Sequence, residues 1–406
     1  MERGELASIL ARYATAPNHG GSLVIDRRPE AFMALVANGI GAGRDIFLGN
    51  PGWTERECME ARSIASGNIS GDRGWLMIPT GGSSGRIKFA RHDAETISSA
   101  VAGYRAHFGI DRVNSTCVLP LHHVGGLMSW MRSAISGGSF QLLAWKDLES
   151  GVFPTEVPEN ACLSLVPTQL QRLVTSESAV AWLRRFKVVS IGGGPSWARL
   201  IEAAAGLGIP LSPGYGATET AAMVAAITPE QFLDGMRGCG RNLAHAKITL
   251  VDGAVVVTGA SVCRGYFPDW DNSGSWAAQD LGTIDRQGSL HIAGRRDDVI
   301  TTGGEKVSPG EVEDVLRSSG QFDDVAVVGL PDPDWGHAVA ACYPEGKAPA
   351  RPELVESALA GLAAYKRPKW YVPVSPWPRN VLGKVDRPEL LRLAIVSRRL
   401  SNPKAS

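Results

Sequence analysis

Between Trp75 and Leu211 short apolar runs alternate with stretches of helical pattern, and after about residue 238 consecutive β segments replace that alternation. Strands and helices in alternation bury their apolar faces only by layering helices over a partly parallel sheet. The strand segments are 75–79, 116–121, 161–166 and 187–191, with helical patterns over 92–108, 126–136, 167–174 and 196–207. Asp252-Gly253, between two apolar runs, predicts a hairpin with a type I′ turn. From Ser308 a helix with Pro309 in its first turn opens a small unit with strands at 325–330 and 338–343 and a helix over 352–364. The sequence thus predicts an α/β protein. A large layered α/β N-terminal domain with a β-rich subdomain spans 1–294, and a small α+β C-terminal domain spans 295–406. The boundary falls at the charged stretch 295–298, and the segment before Arg73 receives no detailed assignment.

Charge narrows the partners. Lys+Arg and Asp+Glu are both 41, and no basic stripe offers a surface to nucleic acid or an anionic membrane. The N-terminus, with Glu2, Arg3 and Glu5, lacks the apolar core of a signal peptide, and no run approaches the ~18 apolar residues that span a bilayer. The six cysteines form no C-x-x-C pair, so neither a zinc site nor a disulfide framework is indicated. Cys117, Cys162 and Cys342 lie in apolar runs, as buried thiols do. These features predict a reduced, cytoplasmic protein.

Four segments carry residues suited to chemistry. Thr80, Gly81, Gly82, Ser83, Ser84 and Gly85, followed by Lys88, combine backbone N–H groups, hydroxyls and a cation, the parts of a phosphate-wrapping loop. A flexible surface turn has the same composition, and neither a Walker A loop nor G-x-G-x-x-G is present. Tyr215, Gly216, Thr218 and Glu219 bring together a ring able to stack on a base and a carboxylate able to hold Mg²⁺. A capped helix start before the apolar run 221–226 is the other reading. Asp280 can accept ribose hydroxyls or sit in a turn, and Arg295 can serve a site or a weak surface ion pair. Lys384, in Asn-Val-Leu-Gly-Lys-Val-Asp-Arg, is either a functional cation or a solvated one.

The four segments, in this order and spacing, resemble those of the adenylate-forming superfamily of acyl-CoA synthetases, luciferases and peptide-synthetase adenylation domains, over about 75–387. Within it, Leu-Pro-Leu-His-His-Val-Gly-Gly (119–126), Val-Pro-Thr-Gln-Leu-Gln-Arg (166–172) and Ile-Gly-Gly-Gly-Pro-Ser (191–196) look like the o-succinylbenzoate–CoA ligases of menaquinone and phylloquinone synthesis. The resemblance implies a homodimer-compatible enzyme using ATP, Mg²⁺ and coenzyme A on a small carboxylic acid. The acid would become an acyl-AMP and then a CoA thioester.

Carried over residue by residue, the loop from Thr80 to Lys88 would hold the β- and γ-phosphates. Gly192, Gly193, Gly194, Pro195 and Tyr215 would flank the adenine, with Gly216 beside them. Thr218 would meet the α-phosphate, Glu219 would ligand Mg²⁺, and Asp280, assisted by Arg295, would take the ribose. Lys384 would bridge the attacking carboxylate and the α-phosphate. The C-terminal domain is expected to be mobile, pivoting at Asp297 so that Gly303 and Gly304 then face the pantetheine channel. For the acyl group, Arg132 is the expected anchor of a second carboxylate, or else an exposed helical arginine; His123 packs on the acyl group or is structural; Thr168 and Gln169 line the pocket or cap a helix. Thr301 stands where the family often has lysine, and Gly82-Ser83-Ser84 where Gly-Thr-Thr is frequent. Rival readings are another aryl- or acyl-CoA synthetase and a non-catalytic nucleotide-binding regulatory protein.

Overall fold

A computed structural model of the 406-residue chain describes residues 1–14, 22–66, 74–81, 87–194, 197–379 and 385–401. The largest sheet runs in the order Arg241–Asn242, Ala222–Ala226, Leu211–Ala217, Val188–Ile191, Ala161–Leu165, Asn114–Cys117 and Phe140–Leu142. The last five strands are parallel. Their runs are short and apolar because helices cover the sheet; Val188–Ile191 is buried at every position. The helices Ala94–Phe108 and Val124–Ser136 end at Gly109 and Gly137, both left-handed, where glycine carries no Cβ penalty.

Two sequence expectations change here. The helix expected from His92 begins at Ala94, because extended Asp93 accepts the Thr96 N–H at 3.0 Å and closes a capping box. Ile87–His92 is a strand antiparallel to Leu76–Gly81, so the Gly/Ser segment joins two strands of a four-stranded sheet. The apolar run after Thr220 starts no helix. Ala222–Ala226 is a strand that returns antiparallel to Leu211–Ala217 through a tight turn with Ala221 and Ala222 at positive φ. A Cβ on Gly216 would lie 1.9 Å from the Ala222 carbonyl oxygen, so the return needs glycine there.

Ala246–Val251, Ala254–Gly259, Ser275–Ile284 and Leu290–Arg295 form an antiparallel meander. Its first turn has Asp252 at φ 49° and Gly253 at φ 75°, as the Asp-Gly pair predicts. The remainder contains the hairpin Ile300–Thr302 with Glu305–Val307 and the sheet Ala326–Asp332, Gly336–Pro344 and Trp370–Val374, with the helices Pro309–Ser318, Pro352–Leu359 and Arg387–Ser401. This small domain has its own cores, around Val312 and Val327 and around Leu330 and Leu390. It touches the large domain where the Arg317 guanidinium lies 5.4 Å from the Trp197 ring centroid and Ser308 Oγ donates to the Ala293 carbonyl at 2.8 Å.

One buried ion pair joins the meander to the layered region. Arg264 Nε donates to Asp93 Oδ2 at 3.0 Å and its Nη2 to Glu95 at 2.7 Å, with the Arg264 and Asp93 side chains 7% and 5% exposed. Removing the guanidinium leaves the capping carboxylate buried without its counter-ion. Arg264→Ala is expected to cost about 3–5 kcal/mol, read as a lower urea midpoint, with Glu95→Ala costing far less because that carboxylate is half exposed.

Candidate active site

Four neighbouring parallel strands end on the same edge of the central sheet, and the segments singled out in the sequence follow them. His122-His123 comes after Asn114–Cys117, Thr168-Gln169 after Ala161–Leu165, Gly192–Gly194 after Val188–Ile191, and Thr218-Glu219 after Leu211–Ala217. The carboxyl edge of a parallel sheet is where α/β proteins collect ligand groups. Pro195 lies outside the described residues.

Around Tyr215 the arrangement suits a nucleoside. The Tyr215 hydroxyl donates to Asp280 Oδ2 at 2.7 Å, and burial, followed by the Asp280 charge, raises its pKa so that it stays a donor. Asp280 sits in a strand, not a turn, paired in register with Arg295, whose Nη1 is 3.9 Å from Asp280 Oδ1. Arg295 also grips Asp297 through two bonds of 2.9 and 2.8 Å. Glycine at 192 to 194 keeps side chains away from that edge, with Gly193 left-handed at φ 76°.

Beside Thr218 stands the hairpin of Thr80, Gly81 and Lys88, with Thr80 opposite Lys88 and Gly81 opposite Ile87. Gly82, Ser83, Ser84 and Gly85 lie outside the described residues. Lys88 is exposed, its ammonium 5.7 Å from the Tyr266 ring centroid. Two partners of this region carry no periodic signal and are missed by sequence reasoning. Tyr266 donates to Glu219 Oε1 at 2.7 Å and accepts from Trp276 Nε1 at 3.3 Å. Burial raises the pKa of the Glu219 carboxyl, opposed by that hydrogen bond. His92 places Nε2 2.8 Å from the Thr218 carbonyl, an acceptor, so Nε2 holds the proton; its Nδ1 is 3.1 Å from Thr96 Oγ1. The short motif Arg-Gly-Tyr at 264–266 is the one local signal that could have flagged Arg264 and Tyr266.

Of the two readings of Arg132, the exposed helical arginine does not hold. It is 5% exposed, its guanidinium 3.9 Å from the Tyr104 ring centroid, and burial lowers its pKa. His123 precedes the helix Val124–Ser136 with its ring 4.2 Å from that of His122. Gln169 Oε1 accepts the Val166 N–H at 3.0 Å, which is the capping reading, and Thr168 is exposed.

Lys384 lies outside the described residues; Arg379 and Val385, on either side of 380–384, are bridged antiparallel. Arg387 ties the same region to Asp298 at 3.1 Å and to Glu313 at 2.7 Å. Gly303 and Gly304, both at positive φ, turn the hairpin between Ile300–Thr302 and Glu305–Val307, and a Cβ on Gly303 would meet the Trp335 ring at 2.5 Å. All six cysteines are free. Among the described residues no three His, Cys, Asp or Glu side chains converge as a metal cage, and no helix is long and apolar enough to cross a membrane.

The buried His92 makes a pH prediction. Burial depresses its pKa from 6.5 to about 4, so the folded state binds its proton later than the unfolded chain. The stability is present above pH 6.5 and is lost as pH falls toward 4, by about 2–3 kcal/mol. In His92→Gln, urea unfolding at neutral and acid pH should show that gap narrowed by about this amount.

The comparisons agree with this geometry. Residues 46–267, more than half of the chain, match the AMP-binding enzyme family, and residues 311–384 match the AMP-binding enzyme C-terminal domain. A 2-succinylbenzoate–CoA ligase of Bacillus licheniformis is 31% identical over 333 residues, 77% of this chain and 68% of the relative. One of Geobacillus kaustophilus is 32% identical over 293 residues, 68% of this chain and 60% of the relative, so the match spans about three-fifths of that protein. The o-succinylbenzoate CoA synthetase of Bacillus subtilis, solved with its acyl-adenylate intermediate, superimposes with a TM-score of 0.77 at 22% identity, covering 96% of this chain and 91% of that one. With its large layered domain, β-rich subdomain and small C-terminal domain, the chain belongs to the AMP-binding, adenylate-forming enzyme family.

Proposed function

We propose that the protein is an ATP-dependent, AMP-forming CoA ligase that converts o-succinylbenzoate to its acyl-AMP and then to o-succinylbenzoyl-CoA, as a cytoplasmic step of menaquinone or phylloquinone synthesis. The observation that carries the reading is the Tyr215–Asp280–Arg295 cluster set against the edge where four parallel strands end. The relatives named 2-succinylbenzoate–CoA ligase supply the acid.

In this reading Thr80 to Lys88 cradles the β- and γ-phosphates, and Gly192 to Pro195 with Tyr215 encloses the adenine. Asp280 accepts from the ribose hydroxyls. Thr218 donates to the α-phosphate, its backbone held by His92. Glu219 fits Mg²⁺: a single buried carboxylate beside substrate phosphates is the donor set that ion accepts. Tyr266 holds one of its oxygens and so fixes the direction of the other. Bound there, Mg²⁺ supplies charge neutralisation to the phosphates.

The acid's carboxylate oxygen attacks the α-phosphorus and pyrophosphate leaves. Coenzyme A thiolate then attacks the acyl carbon and AMP leaves. Catalysis of the first step rests on positioning and on cations aimed at the phosphoryl oxygens. Lys384, a compact ammonium charge on a long side chain, would span the two reacting groups. The division between domains falls at 294/295, and the small domain pivots at Asp297, removing Lys384 and bringing Gly303 and Gly304 to the thiol channel. Arg132 offsets the charge of the acid's second carboxylate, with His123 nearer the reacting end.

The test is pyrophosphate release with ATP, Mg²⁺ and o-succinylbenzoate, with and without coenzyme A, beside benzoate and a fatty acid. Release that depends on o-succinylbenzoate, together with its CoA thioester by mass spectrometry, is expected. Release only with another acid would keep the chemistry and discard the substrate, and ATP binding without release would leave a non-catalytic protein. Lys384→Ala should lower the adenylation rate by about a hundredfold or more while leaving ATP affinity nearly intact.

A further inference from the structure

Tyr266 does more than orient Glu219. Three groups meet on it, each from a different element. Its hydroxyl donates to Glu219 Oε1 at 2.7 Å, and the indole N–H of Trp276 donates to that hydroxyl at 3.3 Å. The Lys88 ammonium stands over its ring, 5.7 Å from the centroid. Glu219 belongs to the turn Thr218–Thr220, Trp276 to the strand Ser275–Ile284 four residues before Asp280, and Lys88 to the strand Ile87–His92. The polarity of this line is fixed by chemistry. An indole N–H can only donate, so the Tyr266 oxygen accepts from Trp276 and its proton is left for Glu219. Glu219 is 8% exposed, and a buried carboxylate depends on such a donor in place of water.

The backbone accounts for the lysine's place. Tyr266 pairs antiparallel with Ala90. The Arg91 N–H donates to the Gly265 carbonyl at 3.0 Å and the Phe267 N–H to the Phe89 carbonyl at 2.9 Å. Residues 265–267 therefore run along Ile87–His92 as a short added strand. Lys88 is two residues from Ala90, so both project from one face of their strand, and a long side chain there reaches a diagonal neighbour. At the other end of the segment the Cys263 N–H donates to the Glu219 carbonyl at 2.8 Å. The stretch 263–267 is thus fastened at once to the turn that carries Glu219 and to the hairpin that carries Lys88.

Two groups of opposite charge are held on one tyrosine. Resting on the reading of Lys88 as a phosphate ligand and Glu219 as the Mg²⁺ ligand, we infer that Tyr266 is a positioning residue that couples the two, so that nucleotide and divalent cation bind cooperatively. The ligand class it selects is the divalent-cation complex of a nucleoside triphosphate over the free triphosphate. A carboxylate aimed at bare phosphates repels them, and a cation lying between the two reverses the sign. That reversal is worth most when the carboxylate direction and the lysine position are set together, which the Tyr266 hydroxyl and ring do. Trp276 supports the hydroxyl from one residue farther out.

The experiment measures ATP binding by calorimetry, once with excess Mg²⁺ and once in EDTA, for wild type, Tyr266→Phe, Tyr266→Leu and Trp276→Phe. Wild type should bind more tightly with Mg²⁺. In Tyr266→Phe, which keeps the ring beneath Lys88, that gain should shrink about tenfold or more, while affinity in EDTA changes far less. Trp276→Phe should move the gain the same way by a smaller factor. Tyr266→Leu gives up the ring as well, and its extra loss relative to Tyr266→Phe should vanish in a Lys88→Met background. Kinetics add a second readout: the Mg²⁺ concentration for half-maximal pyrophosphate release should rise in Tyr266→Phe, with high Mg²⁺ restoring most of the rate. A tyrosine that only packs would lower the urea midpoint and leave the Mg²⁺ gain unmoved, and that result overturns the inference. So does a Tyr266→Phe protein that binds ATP with Mg²⁺ as tightly as wild type, or an extra loss in Tyr266→Leu that persists without Lys88. A wild type that gains nothing from Mg²⁺ would instead sink the parent reading of Glu219, and the wild-type arm alone reveals that failure.

Discussion

The parallel register of the strands from Asn114–Cys117 to Leu211–Ala217 governs where everything else can be. Parallel strands must be joined by crossovers, so each one sends its chain out at the same edge before a helix brings it back. Groups separated by about a hundred residues, from His123 to Glu219, therefore share one rim. The chain then reverses at Thr218–Thr220, and the antiparallel return of Ala222–Ala226 closes that side of the sheet. From there the chain enters the meander that carries Asp280 and Arg295 to the same rim. The tie between Arg264 and Asp93 holds the meander against the helix that follows the Thr80–Lys88 hairpin. Positioning thus flows from topology, with a few buried polar contacts fixing the last few ångströms.

Much of this was legible in the residues. The strand–helix alternation announced the layers, and Asp252-Gly253 announced its hairpin because few dipeptides accept two successive positive φ angles. The segments around Tyr215, Asp280 and Arg295 could be picked out because glycines and charged groups stand out against apolar strands. Other parts were not legible for identifiable reasons. Ile87–His92 contains Lys88, Arg91 and His92, and reads as polar although four of its residues are buried by packing from distant segments. Ala221 and Ala222 occupy left-handed backbone that alanine rarely adopts, so no local rule foretells a turn there. The burial of Arg132 depends on Tyr104, far away in sequence and on another helix, and helical periodicity is blind to such a neighbour. Tyr266 and His92 act through single long-range hydrogen bonds, which leave no pattern in the chain.

Charge is used differently on the two sides of the site. Around Tyr215, carboxylates and cations stand close enough to neutralise each other in part: Arg295 faces both Asp280 and Asp297. Such a cluster is tolerable without a ligand and can re-pair when one arrives. Around Arg132 the buried guanidinium has an aromatic face and neutral groups. Burial without a facing carboxylate lowers the Arg132 pKa, whereas Asp297 raises that of Arg295.

Arg387 joins several parts of the small domain. Its guanidinium reaches Asp298, in the turn Arg296–Asp298, and Glu313, in the helix Pro309–Ser318, and its Nη1 donates to the Val327 carbonyl in the sheet. It stands two residues beyond Val385, which with Arg379 closes the segment containing Lys384. The turn at Arg296–Asp298, the helix, the sheet and the residues on either side of 380–384 therefore meet at one guanidinium, so a single substitution at Arg387 would loosen four parts of the small domain at once.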